Sequence, residues 1–317
     1  MFRVPTHRRQ LFAGLLCGLV VLSSCGSDKK TAAGDTLPIA ETKTVMRGSD
    51  PASQLISEMY AQMLEDQGFR VERREPAANL DAAIKRLTDG DADLAFSSTN
   101  EFYAYVQKNV ATPATFVDGA NLTDEINAIG ELAPDALVVA PPSPALRNGL
   151  IACTKKVADD NKASSLTQLA LVADKLTLGA PADFTKSGDL SMEHFTAVYG
   201  SKFKEVKTLT PAEIATQLMK AEIDCGVFNS VDGLLPQGMV ALTDDKAFVS
   251  RDAILPLLRK TKDGDTALLD IVNRVSSTLT TDAWIAMMGA VVTAKQSPEV
   301  VAGAFLDNSG LSKKAGD

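Results

Sequence analysis

Apolar and polar positions switch between two periods along this chain, and the first switch is the sharpest. A β-prone run ends at Arg47-Gly48-Ser49, and Ser49-Asp50-Pro51 follows. Ser or Asp ahead of Pro opens a helix well, because the side-chain oxygen accepts from free N–H groups and Pro at the first helical position forfeits no hydrogen bond. Ala52, Leu55, Ile56, Met59, Tyr60 and Met63 then recur at three- and four-residue spacing, one apolar face of a helix. Gly68 stops it, and Phe69–Arg73 resumes as a strand. Such a unit leaves free N–H groups and small polar side chains at the carboxyl end of its first strand, where open α/β sheets bind ligands.

The same device recurs. A helix over Asn79–Thr88 turns at Asp89-Gly90-Asp91 into the strand Asp93–Phe96, which closes on Ser97-Ser98-Thr99-Asn100. Helical spacing follows over Glu101–Asn109 and Asp124–Leu132, then the strand Ala136–Ala140. Pro141-Pro142-Ser143-Pro144 breaks the pattern and marks a first crossing into a second lobe. Beyond it, strands are expected at Gly149–Cys153, Leu176–Ala180, Glu205–Leu209 and Asp224–Phe228, with helices at Ser165–Ala173 and Glu193–Tyr199. Thr210-Pro211-Ala212-Glu213 is a capping box with Pro at the first position, a strong helix start. The last of these strands ends at Asn229-Ser230-Val231-Asp232.

Residues 84–98 (IKRLTDGDADLAFSS) and 216–230 (TQLMKAEIDCGVFNS) echo each other as helix, acidic turn, Asp, apolar strand and polar strand end. Two such copies imply two α/β lobes of similar build, with polar strand ends facing one another across a cleft. Lys246–Lys260 is an extended apolar stretch interrupted by Pro256, a second crossing. Helices over Thr266–Leu279, Thr281–Val292 and Pro298–Leu306 then pad the first lobe. The expected division is 44–143 for the first part of lobe I, 144–246 for lobe II, and 247–317 for the return crossing and lobe I helices.

The amino terminus belongs to neither lobe. Arg3, His7, Arg8 and Arg9 precede the apolar run Leu11–Leu22, too short to span a bilayer comfortably and flanked like a signal peptide. It ends in Leu22-Ser23-Ser24-Cys25, which resembles the bacterial lipoprotein signal. Residues 1–24 would be removed, Cys25 would carry the lipid, and 25–43, polar and without periodicity, would be a flexible tether. A plain secretory signal that happens to contain a cysteine is the competing reading. Arg8-Arg9-Gln10-Leu11-Phe12 also has the look of a twin-arginine signal, so both export routes stay open.

Composition narrows the function. Without its first 24 residues the chain keeps 29 basic against 40 acidic residues, a formal charge of −11, which argues against nucleic-acid binding. His7 and His194 are the only histidines, so a His-rich metal site or a Ser/His/Asp triad has almost nothing to draw on, and no cofactor is expected. No phosphate-binding glycine loop or nucleophile elbow is present, and an enzyme is a distant reading.

The passage KAEIDCGVFNSVDGLLPQGMVALTDDKAFVSRDAILPLLRK is the most specific in the chain. With VMRGSDPASQLISEMYAQMLEDQGFRVE and PPSPALRNGLIACTKKVADDNKASSLTQLA, it resembles the glycine betaine/choline-type substrate-binding proteins of ATP-binding-cassette (ABC) importers over roughly Thr44 to Leu311. The resemblance implies a bilobed type II periplasmic-binding-protein fold, two α/β lobes joined by a hinge and closing around a small solute for delivery to an ABC permease. It implies a monomer at the extracytoplasmic face of the bacterial cell membrane, touching the membrane through the lipid alone. By the same resemblance the solute would be a quaternary amine held in an aromatic cage. The family's Asp-Leu-Tyr-Pro-Glu-Tyr-Thr motif, however, is here Asp93-Leu94-Ala95-Phe96-Ser97-Ser98-Thr99, with Ala95 and Ser98 at the tyrosine positions. Its Phe-x-x-Arg motif becomes Phe184-Thr185-Lys186-Ser187, and the arginine is gone. Weak or no betaine binding, and a more polar or larger ligand, is expected.

The ligand-binding candidates are the strand-end residues Ser49, Asp50, Ser97, Ser98, Thr99, Asn229, Ser230 and Asp232. To these are added Gln54 one turn into the first helix, Arg147 and Asn148 after the first crossing, and Phe184 as part of an apolar wall. Each has a plainer reading as a solvated surface or packing residue. Phe102, Tyr103 and Tyr105 read as a packing face, and His194 as a helix-end residue. Cys153 and Cys225 both fall on second-lobe strands and are the pair left once Cys17 leaves with the signal and Cys25 takes the lipid. A disulfide and two separate buried thiols are equally compatible with that. Two functions stay open: a lipid-anchored solute receptor for an importer, and an envelope lipoprotein of the same build that binds a cell-envelope component or protein without transport.

Overall fold

Two five-stranded sheets organise the residues that the computed structural model describes: 41–109, 126, 130, 131, 133–186, 190–262 and 264–312. The signal segment, Cys25, the tether through residue 40 and most of the helix expected over 124–132 lie outside them. The first sheet contains β1 (Thr42–Met46), β2 (Arg70–Arg74), β3 (Leu94–Ser98), β4 (Leu137–Val139) and β10 (Ile254–Arg259), in the order β2-β1-β3-β10-β4. The second contains β5 (Gly149–Cys153), β6 (Thr177–Ala180), β7 (Glu205–Thr208), β8 (Cys225–Asn229) and β9 (Val240–Ala241), in the order β7-β6-β8-β5-β9. In each, three parallel strands meet one antiparallel strand at the fourth place, β10 in one and β5 in the other.

The correspondence extends to single hydrogen bonds. Asp93 donates its N–H to the Thr44 carbonyl at 2.9 Å and accepts from the Thr44 N–H at 2.8 Å through its carboxylate. Asp224 does the same with Thr177, at 3.0 and 2.8 Å. The carbonyl of Asp93 accepts from Arg259 N and that of Asp224 from Thr154 N, each at 3.0 Å. The repeated Asp is therefore a bracket that ties the start of one central strand to its neighbour, which satisfies groups otherwise left bare at the sheet edge.

α1 (Pro51–Asp66) buries all six residues of its expected face, and also Ser57, Glu58, Ala61 and Leu64. The extra burial arises because the helix is covered on its far side by α8 (Thr266–Thr278) and α10 (Pro298–Asn308). Glu58, almost fully buried, needs a partner there, and Arg73 supplies it with Nε at 2.9 Å while reaching Glu65 at 2.6 Å. Between these elements α2 (Leu80–Asp89) and α3 (Thr99–Asn109) follow β2 and β3. The second lobe carries α4 (Lys155–Asn161), α5 (Leu166–Ala170), α6 (Met192–Tyr199) and α7 (Pro211–Met219), the last opened by the Thr210/Glu213 capping box. α9 (Thr281–Met288) runs on as a π-helical turn over Gly289–Thr293. Among the described residues no single helix is long and apolar enough to cross a membrane.

Some expectations need correction. Of the stretch Lys246–Lys260, only Ile254–Arg259 is a strand. Pro256 sits inside it because its missing N–H points toward β4 where that short strand has ended, while its carbonyl still accepts from Ala140 N at 3.1 Å. Ser97 and Ser98 are not beyond the strand but inside β3, opposite Leu255 and Ile254. α4 has a polar sequence with Ala158 as its one buried residue, so no apolar spacing announces it.

The chain passes between the sheets twice, and the two passes pair. Leu146 bridges Ala253, Arg147 N donates to the Asp252 carbonyl at 2.6 Å, and Asn148 Nδ2 donates to the Ser250 carbonyl at 3.4 Å. A third connection follows β8: Thr293 Oγ1 donates to the Gly233 carbonyl at 2.6 Å, and Val231 packs on the first lobe's core.

Candidate functional site

β1 and β3 are neighbours and parallel, so the segments that follow them open on the same edge of the first sheet, beside the start of α2. A cavity of about 320 Å³ lies at that edge. Its wall comes from Gly48, Ser49, Asp50 and Ser53 at the start of α1, from Asn79 at the start of α2, and from Ser97 and Glu101 around the start of α3; Arg147 reaches in from the first crossing. Gly48 allows this wall to form: a Cβ there would fall 1.7 Å from the Cβ of Ser53, so no other residue fits the approach.

Asp50 caps α1 by accepting from Ser53 N at 3.0 Å, and Asn79 caps α2 by accepting from Ala82 N at 2.9 Å. Partial burial, the largest single influence on the Asp50 carboxyl, pushes its pKa up. The hydrogen bonds from Ser53 and Ala52, with the Arg147 charge, outweigh it and hold the carboxyl below its usual range. Ser97 Oγ donates to Glu101 Oε2 at 3.0 Å. Arg47 on the wall leans on Glu299 at 3.7 Å. Arg147, Asp50 and Glu101 have no ion-pair partner among the described residues, and the buried Nε of Arg147 has no hydrogen-bond partner. Phe96, tilted against Tyr60 with ring centroids 4.7 Å apart, is the aromatic residue on the wall among the described residues.

The structure thus brings Ser49, Asp50, Ser97 and Arg147 together at one cavity and places the other candidates elsewhere. Gln54 Nε2 turns back to the Ser49 carbonyl at 3.5 Å. Ser98 Oγ accepts from Glu101 N at 3.2 Å. Thr99 is buried and ties α3 to the second crossing, donating to Asp252 Oδ1 at 3.2 Å and accepting from Ala253 N at 3.1 Å. Asn148 holds the paired crossings. Phe184 is buried in the second lobe's core, where an apolar ring packs without a ligand. Asn229 Oδ1 accepts from Val231 N at 3.1 Å, Ser230 is buried with Oγ donating to the Leu146 carbonyl at 2.9 Å, and Asp232 is exposed. Ser53, Asn79 and Glu101 are wall residues that the sequence reading does not single out, although each lies at a helix cap or first turn, the position that signals them. Among the described residues no cluster of His, Cys, Asp and Glu is suited to a metal ion.

In the second lobe Cys153 and Cys225 face each other across β5 and β8, their sulfur atoms 1.97 Å apart.

Residues 44–308 match the family model described as the substrate binding domain of the ABC-type glycine betaine transport system (OpuAC). Among solved structures, a glycine betaine/carnitine/choline ABC transporter protein superposes with a TM-score of 0.68 at 18% identity, covering 85% of this chain and 99% of that one. Apo YehZ from Escherichia coli superposes with a TM-score of 0.71 at 19% identity, covering 86% of this chain and all of that one. At such identities these likenesses show a shared fold. No curated protein matches the chain.

Proposed function

From the premise that this chain belongs to the family of substrate-binding domains of ABC-type glycine betaine transport systems, we propose that it is a lipid-anchored receptor that closes on a small solute and presents it to an ABC permease. The observation that carries this is the cavity at the strand ends of the first lobe, with Arg147 entering it from the first of two paired crossing segments. A ligand seated there touches both a lobe and the chain that leads to the other lobe. Its differential affinity for the closed arrangement is what shifts the population toward closure. The crossings near 141–148 and 247–256 absorb the rotation. Cys25 carries the lipid, and residues 25–43 tether the lobes to the outer face of the cell membrane.

Two measurements test this. Protein purified from its own cells should release a small molecule on denaturation, and scattering should give a smaller radius of gyration for the loaded form than for the stripped and refolded one. Equal radii overturn closure. Replacing Cys25→Ser should move the protein out of the membrane fraction; unchanged partitioning overturns the anchor.

A further inference from the structure

The charges on the cavity wall do not suit the ligand type that the family's description suggests. Glycine betaine, a quaternary amine, offers its cationic end no hydrogen-bond donor, and aromatic faces hold such a group best. Among the described residues the wall supplies one aromatic ring, Phe96, already packed against Tyr60. In its place stand two carboxylates, Asp50 and Glu101, with the hydroxyls of Ser49 and Ser97. Neither carboxylate has an ion-pair partner among the described residues; Glu101 is solvent-exposed and accepts a hydrogen bond from Ser97 Oγ. Arg147 borders the same cavity; its buried Nε has no hydrogen-bond partner among the described residues, and its charge lies within electrostatic reach of Asp50. The amino ends of α1 and α2 also border the cavity and add partial positive charge on that edge.

A purely anionic ligand would face two carboxylates, and a purely cationic one would face Arg147 and two helix amino ends. A molecule bearing both signs satisfies both. Resting on the receptor function proposed above, we propose that the ligand is a small zwitterion whose cationic end is a hydrogen-bond-donating primary or secondary ammonium. Its anionic group pairs with Arg147, and its ammonium donates to Glu101 and Asp50. An ammonium with N–H groups gains charge-assisted hydrogen bonds from a carboxylate, whereas a trimethylated nitrogen keeps the carboxylate at a distance and leaves its lone pairs unmatched.

Calorimetry on the full chain purified in detergent, with matched pairs, tests this directly. The pairs are glycine with glycine betaine, 4-aminobutanoate with its trimethyl derivative, and proline with N,N-dimethylproline. At least one pair should show the N–H-bearing member binding tenfold or more tighter than its methylated partner. Glu101→Gln should reduce that preference at least fivefold, and Arg147→Gln should weaken both members of the pair. Equal or tighter binding of the methylated members overturns the proposed ligand class and leaves the receptor function standing. Binding of no member of any pair also overturns the class, and the receptor function is then judged separately by whether a small molecule co-purifies. Preference for the N–H-bearing member that survives Glu101→Gln and Asp50→Asn together overturns the assignment to these carboxylates.

Discussion

The two lobes share a backbone plan and are fastened in different ways. Leu94 and Leu258 form the apolar cross-strand pair next to Asp93 in the first lobe. The matching pair in the second, next to Asp224, is Cys153 and Cys225. Arg259, one residue beyond Leu258, reaches the Asp93 carboxylate through Nε at 3.0 Å, whereas Thr154 at the matching place caps a short helix. The first lobe also receives three helices from the end of the chain and buries Trp284 among them. Among the described residues the second lobe receives no such cover; each lobe's core lies in two clusters, and those of the second lobe are together the smaller. A small core gains most from a covalent staple. The difference teaches that a repeated α/β plan tolerates an ion pair with apolar packing or a disulfide at one and the same ladder position, according to how much core surrounds it.

Reduction should break the comparison most strongly. The disulfide closes a loop of 72 residues, so its loss should cost about 4 kcal/mol on the chain-entropy model. Hydrogen exchange after reduction should rise over 149–229 and stay unchanged over 42–98. Uniform acceleration of both lobes would refute a fastening confined to the second. A free-thiol assay on denatured, unreduced protein should label neither Cys153 nor Cys225.

Next comes the loop after β8, which joins the lobes without belonging to either crossing. Gly233 has φ +63°, and a Cβ on it would lie 2.4 Å from the Met288 carbonyl oxygen. Gly233→Ala should therefore destabilise by about 2–3 kcal/mol, and it should loosen the π-helical turn Gly289–Thr293 before either sheet. Wild-type unfolding by this variant would mean that the third connection contributes nothing.

The bracketing aspartates sharpen the comparison further. Asp93→Ala and Asp224→Ala should each cost about 2 kcal/mol through the unmatched strand N–H. Asp93 should be the larger because Arg259 loses its partner as well. Equal losses in denaturant titrations would show that the Arg259 pair is incidental.

These positions also show what the sequence could reveal. The echo between 84–98 and 216–230 exposes the duplication, because helix, acidic turn and strand follow local rules that the chain carries on its face. Matching the two by their polar ends is one residue out, however: Asp93 corresponds to Asp224, and Ser98 therefore to Asn229 rather than Ser230. Strand ends are set by partner strands, and β10, far later in the chain, pairs Leu255 and Ile254 with Ser97 and Ser98 to extend β3. The start of α1 is legible for the same local reason, as Ser49-Asp50-Pro51 encodes its own cap. Which strand-end groups share one cavity is not local. Asp50, Glu101 and Arg147 are brought together by sheet order and by the crossing, and no spacing in the chain foreshadows that. Phe184 lies in the second lobe's core, and its place is not legible for a related reason: an isolated aromatic has no periodicity to say which way it faces.

The smallest expected effect separates the lobes by pH. Asp50 caps the helix after β1, and Ser191, accepting from His194 N at 3.1 Å, caps its counterpart after β6. Removal of either cap by alanine should cost about 1 kcal/mol near neutral pH. Only one of the two caps is a titrating carboxylate. The folded-state pKa of Asp50 lies below its usual 3.8, so its contribution is fully present above that value and is lost as pH falls through the lower, folded-state pKa. The penalty of Asp50→Ala should therefore shrink when stability is measured below about pH 4, while that of Ser191→Ala loses no carboxylate contribution over the same range. Asp50→Asn, which keeps an accepting oxygen at the cap, should cost a few tenths of a kcal/mol and show little of the pH dependence. If Asp50→Ala and Ser191→Ala follow the same pH course in urea titrations, the Asp50 charge contributes nothing to the cap, and its place on the cavity wall is the sole remaining reason for a carboxylate there.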